Sequence, residues 1–209
     1  IIDDEPRFAY RGLMIDSSRH FLPLHHIKHI IATAAQVKLN VIHWHMTDTQ
    51  SFSTGSATFP ELAAKGAFPN GYSGQTGNSP AAGIAPNFFS PSQMREVVQF
   101  AKEHGVRVMP EWDVPGHGSW GMAFPELMTT TCPSLLNPAK PAVYKFLRDF
   151  LSEMASIFTD QYLFLGKPHR RLGPLSFLRH NNLGQAATRS TSVVSKTRRI
   201  SQPGCGSTV

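Results

Sequence analysis

The densest group of reactive side chains lies at residues 111–117, where two carboxylates, Glu111 and Asp113, precede a Val-Pro-Gly turn and His117. The carboxylates lie two residues apart at the end of an apolar, strand-like run. Carboxylates close to an imidazole shift pKa values and can organise a polar pocket. The same groups could instead anchor a loop through hydrogen bonds, and their spacing does not decide between these two interpretations.

A second group surrounds the His-Trp-His sequence at residues 43–45. Side chains two apart on a strand share a face, so His43 and His45 could bind a metal ion. No further ligand follows at an informative spacing, which favours histidines packed in a strand, and we predict neither a metal nor a cofactor. Asp48, just beyond this strand, could be a functional carboxylate or a turn residue.

Arg19 follows the end of another short apolar run, at residues 11–16. Its guanidinium group offers several fixed donors that suit sugar hydroxyls or carboxylates. It could equally be a structural salt-bridge partner, and the residue taken alone favours that role.

The elements that position these residues alternate along the chain. We predict strands at residues 11–16, 40–46, 106–113 and 162–166, helices at residues 23–38, 90–105 and 143–158, and a long surface connection at residues 53–92. The strand at residues 11–16 should be buried, and the helix at residues 90–105 should start with Ser90 as its cap, Pro91 in the first turn and Gln93 three residues after the cap. The order of these elements is typical of an α/β fold with a parallel sheet, whose chemistry lies at the carboxyl ends of the strands. An open doubly wound sheet and half of a (β/α)₈ barrel both fit. A nucleotide-binding sheet is disfavoured because no glycine-rich loop follows the first strand.

Composition divides the chain in two. The 209 residues carry a net charge of +6, yet all 14 acidic residues precede residue 167, so the basic character belongs to residues 167–209. That tail has no hydrophobic periodicity, and we expect it to be poorly ordered. With 41% hydrophobic residues overall, the chain can bury a core. No apolar run approaches the roughly 18 residues that span a bilayer, so no membrane role is predicted.

The chain opens on Ile1-Ile2-Asp3 and lacks the pattern of a signal peptide, so we expect that its true beginning is missing. Cys132 and Cys205 cannot define a disulfide framework or a thiolate metal site.

Three ordered motifs carry a family resemblance. Residues 11–21 (RGLMIDSSRHF), 38–48 (KLNVIHWHMTD) and 110–117 (PEWDVPGH) together resemble the β-N-acetylhexosaminidases of glycoside hydrolase family 20, and the likeness ends at residues 164–166. The resemblance implies that the chain supplies strands one to four of a (β/α)₈ barrel. It also implies removal of terminal N-acetylhexosamine from glycans, and a lysosomal or extracellular location.

The resemblance also assigns site residues. It implies that Arg19 binds hydroxyls of the terminal sugar, that Asp48 supports the active-site network and that His117 lines the site. Glu111 and Asp113 belong to the same site by resemblance only, as active-site support. Thr49 departs from the many relatives that have an acid at that position.

The family mechanism is substrate-assisted: the acetamido oxygen of the sugar attacks the anomeric carbon, an aspartate orients it and a glutamic acid protonates the leaving oxygen. Both acids come from a Gly-Gly-Asp-Glu motif at the end of strand four. Here the motif begins at Leu165-Gly166, and Lys167, Pro168 and His169 follow. We therefore expect no catalytic residues, and an inactive chain.

This interpretation divides the chain into a partial catalytic barrel, residues 1–166, and an unrelated basic tail, residues 167–209, that we attribute to out-of-frame or intron-derived translation. One alternative is a non-catalytic carbohydrate-binding or decoy protein that keeps Arg19, Asp48 and His117. Another is a nucleic-acid-binding tail. We expect no nucleic-acid partner, because the basic residues are scattered and lack aromatic partners for stacking. The sequence indicates no oligomeric state.

Overall fold

The computed structural model describes residues 4–67, 87–131 and 134–166. In chain order the elements are β1 (Gly12–Asp16), α1 (Leu24–Gln36), β2 (Val41–His45), α2 (Glu61–Gly66), α3 (Pro91–Glu103), β3 (Arg107–Glu111), α4 (Trp120–Ala123), a 3₁₀ turn (Pro125–Leu127) and α5 (Pro141–Ile157). The predictions for the basic tail and for both cysteines lie outside the described residues.

The strands form one parallel sheet, which within the described ranges has the order β1-β2-β3. Its register places Asp16 beside His45, and His45 beside Glu111. These residues end their strands, so the sheet brings the polar residues of three distant sequence segments to one edge. The predicted α/β architecture is confirmed.

The fourth predicted strand, residues 162–166, is reduced to a single parallel bridge between Phe164 and Glu111. The Phe164 N–H donates to the Pro110 carbonyl at 2.9 Å, and the Phe164 carbonyl accepts from the Trp112 N–H at 3.0 Å. A further ladder bond toward the start of β3 would need an N–H at residue 110. Because that residue is proline, it has no N–H to give, and the pairing stops there.

Helix α3 begins at the predicted residue for the predicted reason. The Ser90 side chain accepts from the Gln93 N–H, and the Gln93 side chain accepts from the Ser90 N–H, so both halves of a capping box are present. Pro91 occupies the first turn. Beyond the helix, Gly105 takes a left-handed backbone with φ of 69°, as a glycine stop predicts.

Residues 53–56 correct the start of the surface connection predicted at residues 53–92, since all four are buried, as are Ser51 and Phe52 before them. Residues 68–86 of that connection lie outside the described part of the chain. The burial of residues 51–56 is tolerated because their polar groups are paired: the Ser53 N–H and side chain both donate to the Met46 carbonyl, and the Phe52 N–H donates to the Gly66 carbonyl. From α5, the Glu153 carboxylate accepts from the Ser56 hydroxyl at 2.6 Å. This serine-rich segment is therefore part of the core.

Strand β1 corrects the prediction of a buried strand. Leu13 is 41% exposed and Met14 is 55% exposed, and only Ile15 is buried among the apolar residues of the strand. Within the described residues, β1 is an edge strand with no neighbour on its outer side.

Three tryptophans in the core hold the loops that surround the site. Trp44, Trp112 and Trp120 are completely buried. Each indole N–H has an acceptor: the Ser17 hydroxyl at 2.9 Å for Trp44, the Thr54 hydroxyl at 3.0 Å for Trp112 and the Asp113 carbonyl at 3.0 Å for Trp120. Buried indoles usually find such partners, and here the partners lie in segments that follow the strands.

Of the helices in the described ranges, none is long and apolar enough to cross a membrane.

Candidate active site

The polar cluster at the carboxyl edge of the sheet contains the five site residues predicted from the sequence: Arg19, Asp48, Glu111, Asp113 and His117. Ion pairs join Arg19, Asp48, Glu111 and His117, directly or through His45, and a carboxylate oxygen of Asp113 lies within 4.8 Å of His45 and Asp48. Two further members, Asp16 and the central residue His45, were not among the predicted site residues, and His45 was expected to be a histidine packed in a strand. The signal that could have found them is their position at the ends of β1 and β2, level with Glu111.

His45 lies between two carboxylates. Its Nδ1 is 3.0 Å from Glu111 Oε2, its Nε2 is 3.3 Å from Asp48 Oδ2, and the residue is only 5% exposed. A neutral imidazole has one N–H donor, so two carboxylate partners require the doubly protonated form. Burial alone would lower the pKa of His45, but hydrogen bonds to Asp48 and Glu111 outweigh it and raise this pKa to about 10. His45 is therefore a buried cation.

Glu111 binds both histidines of β2. Its Oε2 is 2.6 Å from His43 Nε2 as well as 3.0 Å from His45 Nδ1. Burial alone would raise the pKa of Glu111, but the hydrogen bonds from these two imidazoles lower it well below its usual range. The ring of His43 also stacks on Phe164, with centroids 4.1 Å apart. Glu111 is therefore ionised and ties β2 to β3.

Asp113, two residues further along, has the opposite environment. Its Oδ1 is buried and has no hydrogen-bond partner among the described residues. Burial, and then the charge of Glu111, raise the pKa of Asp113 to about 7. A Cβ atom at Gly166, which has a left-handed φ of 70°, would overlap this oxygen. Only glycine therefore allows the chain to pass beside Asp113.

Arg19 joins two aspartates across the site. Its guanidinium nitrogens lie 2.6 Å from Asp16 Oδ2 and 2.5 Å from Asp48 Oδ2. The arginine side chain is 45% exposed, whereas that of Asp48 is 2% exposed. Burial alone would raise the pKa of Asp48, but the hydrogen bond from His45, the Thr49 N–H and the charge of Arg19 lower it. The salt-bridge role that the sequence favoured for Arg19 is present, and the rest of its surface faces solvent.

His117 reaches Asp48 from the turn after β3. Its Nδ1 is 3.5 Å from Asp48 Oδ1, its side chain is 47% exposed, and its φ is 53°. The hydroxyl of Ser119 donates to the Asp48 carbonyl at 2.9 Å, which fixes this turn against the loop after β2. Asp48 is thus the common partner of Arg19, His45 and His117.

The ligand atoms of His45, Asp48 and Asp113 lie within 4.8 Å of one another, a separation that could suit a metal ion. His45 needs both ring protons to bind Glu111 and Asp48, however, so a cation would have to displace one of them. The geometry therefore fits a hydrogen-bonded network in which His45 keeps both ring protons better than it fits a metal centre. The site presents the half-exposed side chains of Arg19 and His117 to a ligand, and both contact the buried carboxylate of Asp48.

Comparison with known proteins identifies relatives along most of this chain. A model of the catalytic domain of glycosyl hydrolase family 20 matches residues 8–168. Beta-hexosaminidase subunit A1 of Dictyostelium discoideum is 39% identical over 174 residues, 79% of this chain and 30% of the relative. Human beta-hexosaminidase subunit beta is 38% identical over 175 residues, 79% of this chain and 29% of the relative. The chain thus spans about 30% of the length of these relatives.

Solved structures give the same result. The GH20 exo beta-N-acetylglucosaminidase from Vibrio harveyi, in complex with N-acetylglucosamine, matches with a TM-score of 0.69 and 30% identity, over 79% of this chain and 28% of that one. A beta-N-acetylhexosaminidase from Bacteroides fragilis matches with a TM-score of 0.68 and 27% identity, over 83% of this chain and 35% of that one.

Substitution of Asp113, in the loop after β3, and of Glu111, at the end of β3, should change the free energy of unfolding in opposite directions. Asp113→Asn should stabilise the fold by about 1 kcal/mol at about pH 8, where the wild-type carboxylate is ionised without a partner for Oδ1. Because the folded-state pKa of Asp113 is raised to about 7, this gain in the free energy of unfolding should shrink as the pH falls through about 7 toward the pKa of the same carboxyl in the unfolded chain. Urea unfolding at about pH 8 and about pH 5 measures both effects.

Glu111→Gln is the matched comparison. The folded-state pKa of Glu111 is lowered, so its ionised form stabilises the fold at pH values above about 4.3, the pKa of Glu in the unfolded chain. This contribution is lost as the pH falls below about 4.3 and through the folded-state pKa. Breaking this buried pairing should cost about 3 kcal/mol at about pH 8. Equal destabilisation by both substitutions would contradict the assigned charges.

Proposed function

The chain belongs to glycosyl hydrolase family 20, and on that basis we propose that residues 1–166 form the first half of a hexosaminidase (β/α)₈ barrel, which holds a terminal N-acetylhexosamine but lacks the acids that cleave it. Residues 167–209 are a separate segment in this proposal. The observation that carries it is the meeting of Arg19 and His117 on one buried carboxylate, that of Asp48.

The roles of these side chains follow from their exposure. Arg19 is held by Asp16 and Asp48 while nearly half of its side chain remains exposed, so its remaining N–H groups can donate to sugar hydroxyls. His117 is similarly exposed and can contact the same sugar. Asp48 is almost fully buried, so it is a positioning residue that orients both donors.

The substrate class follows from the family. The proposed ligand is a glycan with a terminal non-reducing N-acetylhexosamine, and the Vibrio harveyi relative binds N-acetylglucosamine in its crystal structure. In the family scheme, the acetamido oxygen of the sugar is the nucleophile, so the protein must supply an orienting aspartate and a proton donor for the leaving oxygen.

The residues that should supply these two groups are absent from the sequence at the matching positions. The family motif begins at Gly166, beside Asp113, and continues with Lys167, Pro168 and His169. Proline has no side-chain acceptor for the acetamido N–H. A histidine differs in reach from the glutamic acid that must lie within about 3 Å of the leaving oxygen. The proposed site therefore binds a terminal sugar but does not hydrolyse its glycosidic bond.

A carbohydrate-binding or decoy role is the second candidate function. It is favoured by the exposure of Arg19 and His117, because their side chains are 45% and 47% exposed although both contact the buried carboxylate of Asp48. The proposed nucleic-acid role of the basic tail has no comparable observation, because those residues lie outside the described part of the chain.

The purified 209-residue chain should give no turnover of a chromogenic N-acetyl-β-glucosaminide above the buffer background, because His169 stands where the family has the glutamic acid that protonates the leaving oxygen. A family hexosaminidase that keeps the Asp-Glu pair serves as the positive control. Robust turnover that is abolished by Asp48→Ala would contradict the assignment of an inactive chain.

Calorimetric titration with N-acetylglucosamine should detect weak binding, with a Kd on the order of 1 mM, since only half of the sugar site is present. Arg19→Ala should weaken it about tenfold or more, because it removes a charged donor. Arg107→Ala is the matched control: Arg107 is also paired with an aspartate, Asp160, and its side chain is 46% exposed. Binding that is equally strong in both variants would contradict the proposed subsite.

A further inference from the structure

Helix α1 carries three histidines within five residues, and the network at the strand ends uses none of them. His25, His26 and His29 are all exposed. The helix buries its opposite face through Ile27, Ile31 and Ala34, which fixes its rotation against the sheet. The imidazoles therefore stay on the solvent face as long as the helix is packed.

His25 and His29 have the spacing of a helical chelate. Residues four apart on a helix lie on one face, with Cβ atoms about 5–6 Å apart. The same spacing presents two histidines to zinc in helical metal-binding motifs. The helix itself therefore sets the separation of the two ligand groups, without the need for a loop to close around an ion.

The surroundings of the pair leave it free to bind a cation. Within the described residues, no hydrogen bond or ion pair involves the imidazole of His25 or His29, and the ring of His25 contacts that of His26, with centroids 4.3 Å apart. Lys28 is the only charged residue of α1. Its ammonium group pairs with Glu96 and lies 5.4 Å from the centre of the Phe100 ring, so it is directed toward α3.

We propose that His25 and His29 form a surface site for a divalent transition-metal ion, with water completing the coordination. Imidazole suits Zn²⁺, Ni²⁺ and Cu²⁺, and a site of two nitrogen ligands should bind Cu²⁺ most tightly. This site differs in kind from the cluster of His45, Asp48 and Asp113. The imidazole nitrogens of His45 are committed to carboxylates, whereas those of the α1 pair make no such bond with the described residues. The inference does not depend on the proposed sugar subsite.

Nickel binding to the untagged 209-residue chain tests this site. Titration with Ni²⁺ at about pH 8, where free imidazole is neutral, should show one strongest site. His25→Ala and His29→Ala should each weaken it about tenfold or more, because each leaves a single imidazole. The double variant should be little weaker than either single variant, since the chelate is already lost.

Two controls make the outcome decisive. His104→Ala removes another exposed histidine, one that follows α3, and should leave the strongest site unchanged. His26→Ala should also leave it unchanged. Undiminished nickel binding in the double variant would overturn the proposal, and so would a loss in His26→Ala that matches the loss in His25→Ala. Helical circular dichroism confirms that each variant remains folded.

Discussion

The arrangement of the whole site depends on one buried cation, the imidazolium of His45. It binds Glu111 of the neighbouring strand through one nitrogen and Asp48 of the following loop through the other. Without that positive charge, two carboxylates would lie in a poorly solvated edge of the sheet with too few donors, a costly arrangement. With it, Asp48 is ionised and can hold Arg19 and His117 at the surface. Among the described residues Asp113 has no such partner for its Oδ1, and burial, followed by the charge of Glu111, raises its pKa to about 7.

The hydrophobic core supports this network from below. The buried indoles of Trp44, Trp112 and Trp120 donate to the segments that follow the strands. Packing of the core therefore also fixes the positions of the polar loops. Asp113 links the core to the polar cluster, because its carbonyl accepts from Trp120 while its carboxylate lies beside Gly166. Substitutions in the core should disturb the site even where they touch no site residue.

The sequence predicted what depends on local pattern. Apolar runs and their order predicted a parallel sheet, and Ser90, Pro91 and Gln93 predicted the start of α3. It failed where long-range pairing decides. The serines of residues 51–56 are polar in sequence but buried, because the backbone of Met46 and the side chain of Glu153 satisfy them. The five predicted site residues came from their individual positions or from the resemblance. The central place of His45 was not predicted, because it appears only once strand register places this residue between Glu111 and Asp48.

The protonation state of His45 tests this account most directly. Nitrogen-detected NMR of the imidazole rings reports whether one or both nitrogens carry a proton. At about pH 8, where an unperturbed imidazole is neutral, His45 should remain doubly protonated, and Glu111→Gln should lower the pH at which His45 loses a proton. A neutral, singly protonated His45 in the folded wild-type chain at this pH would contradict the network on which the proposed subsite rests.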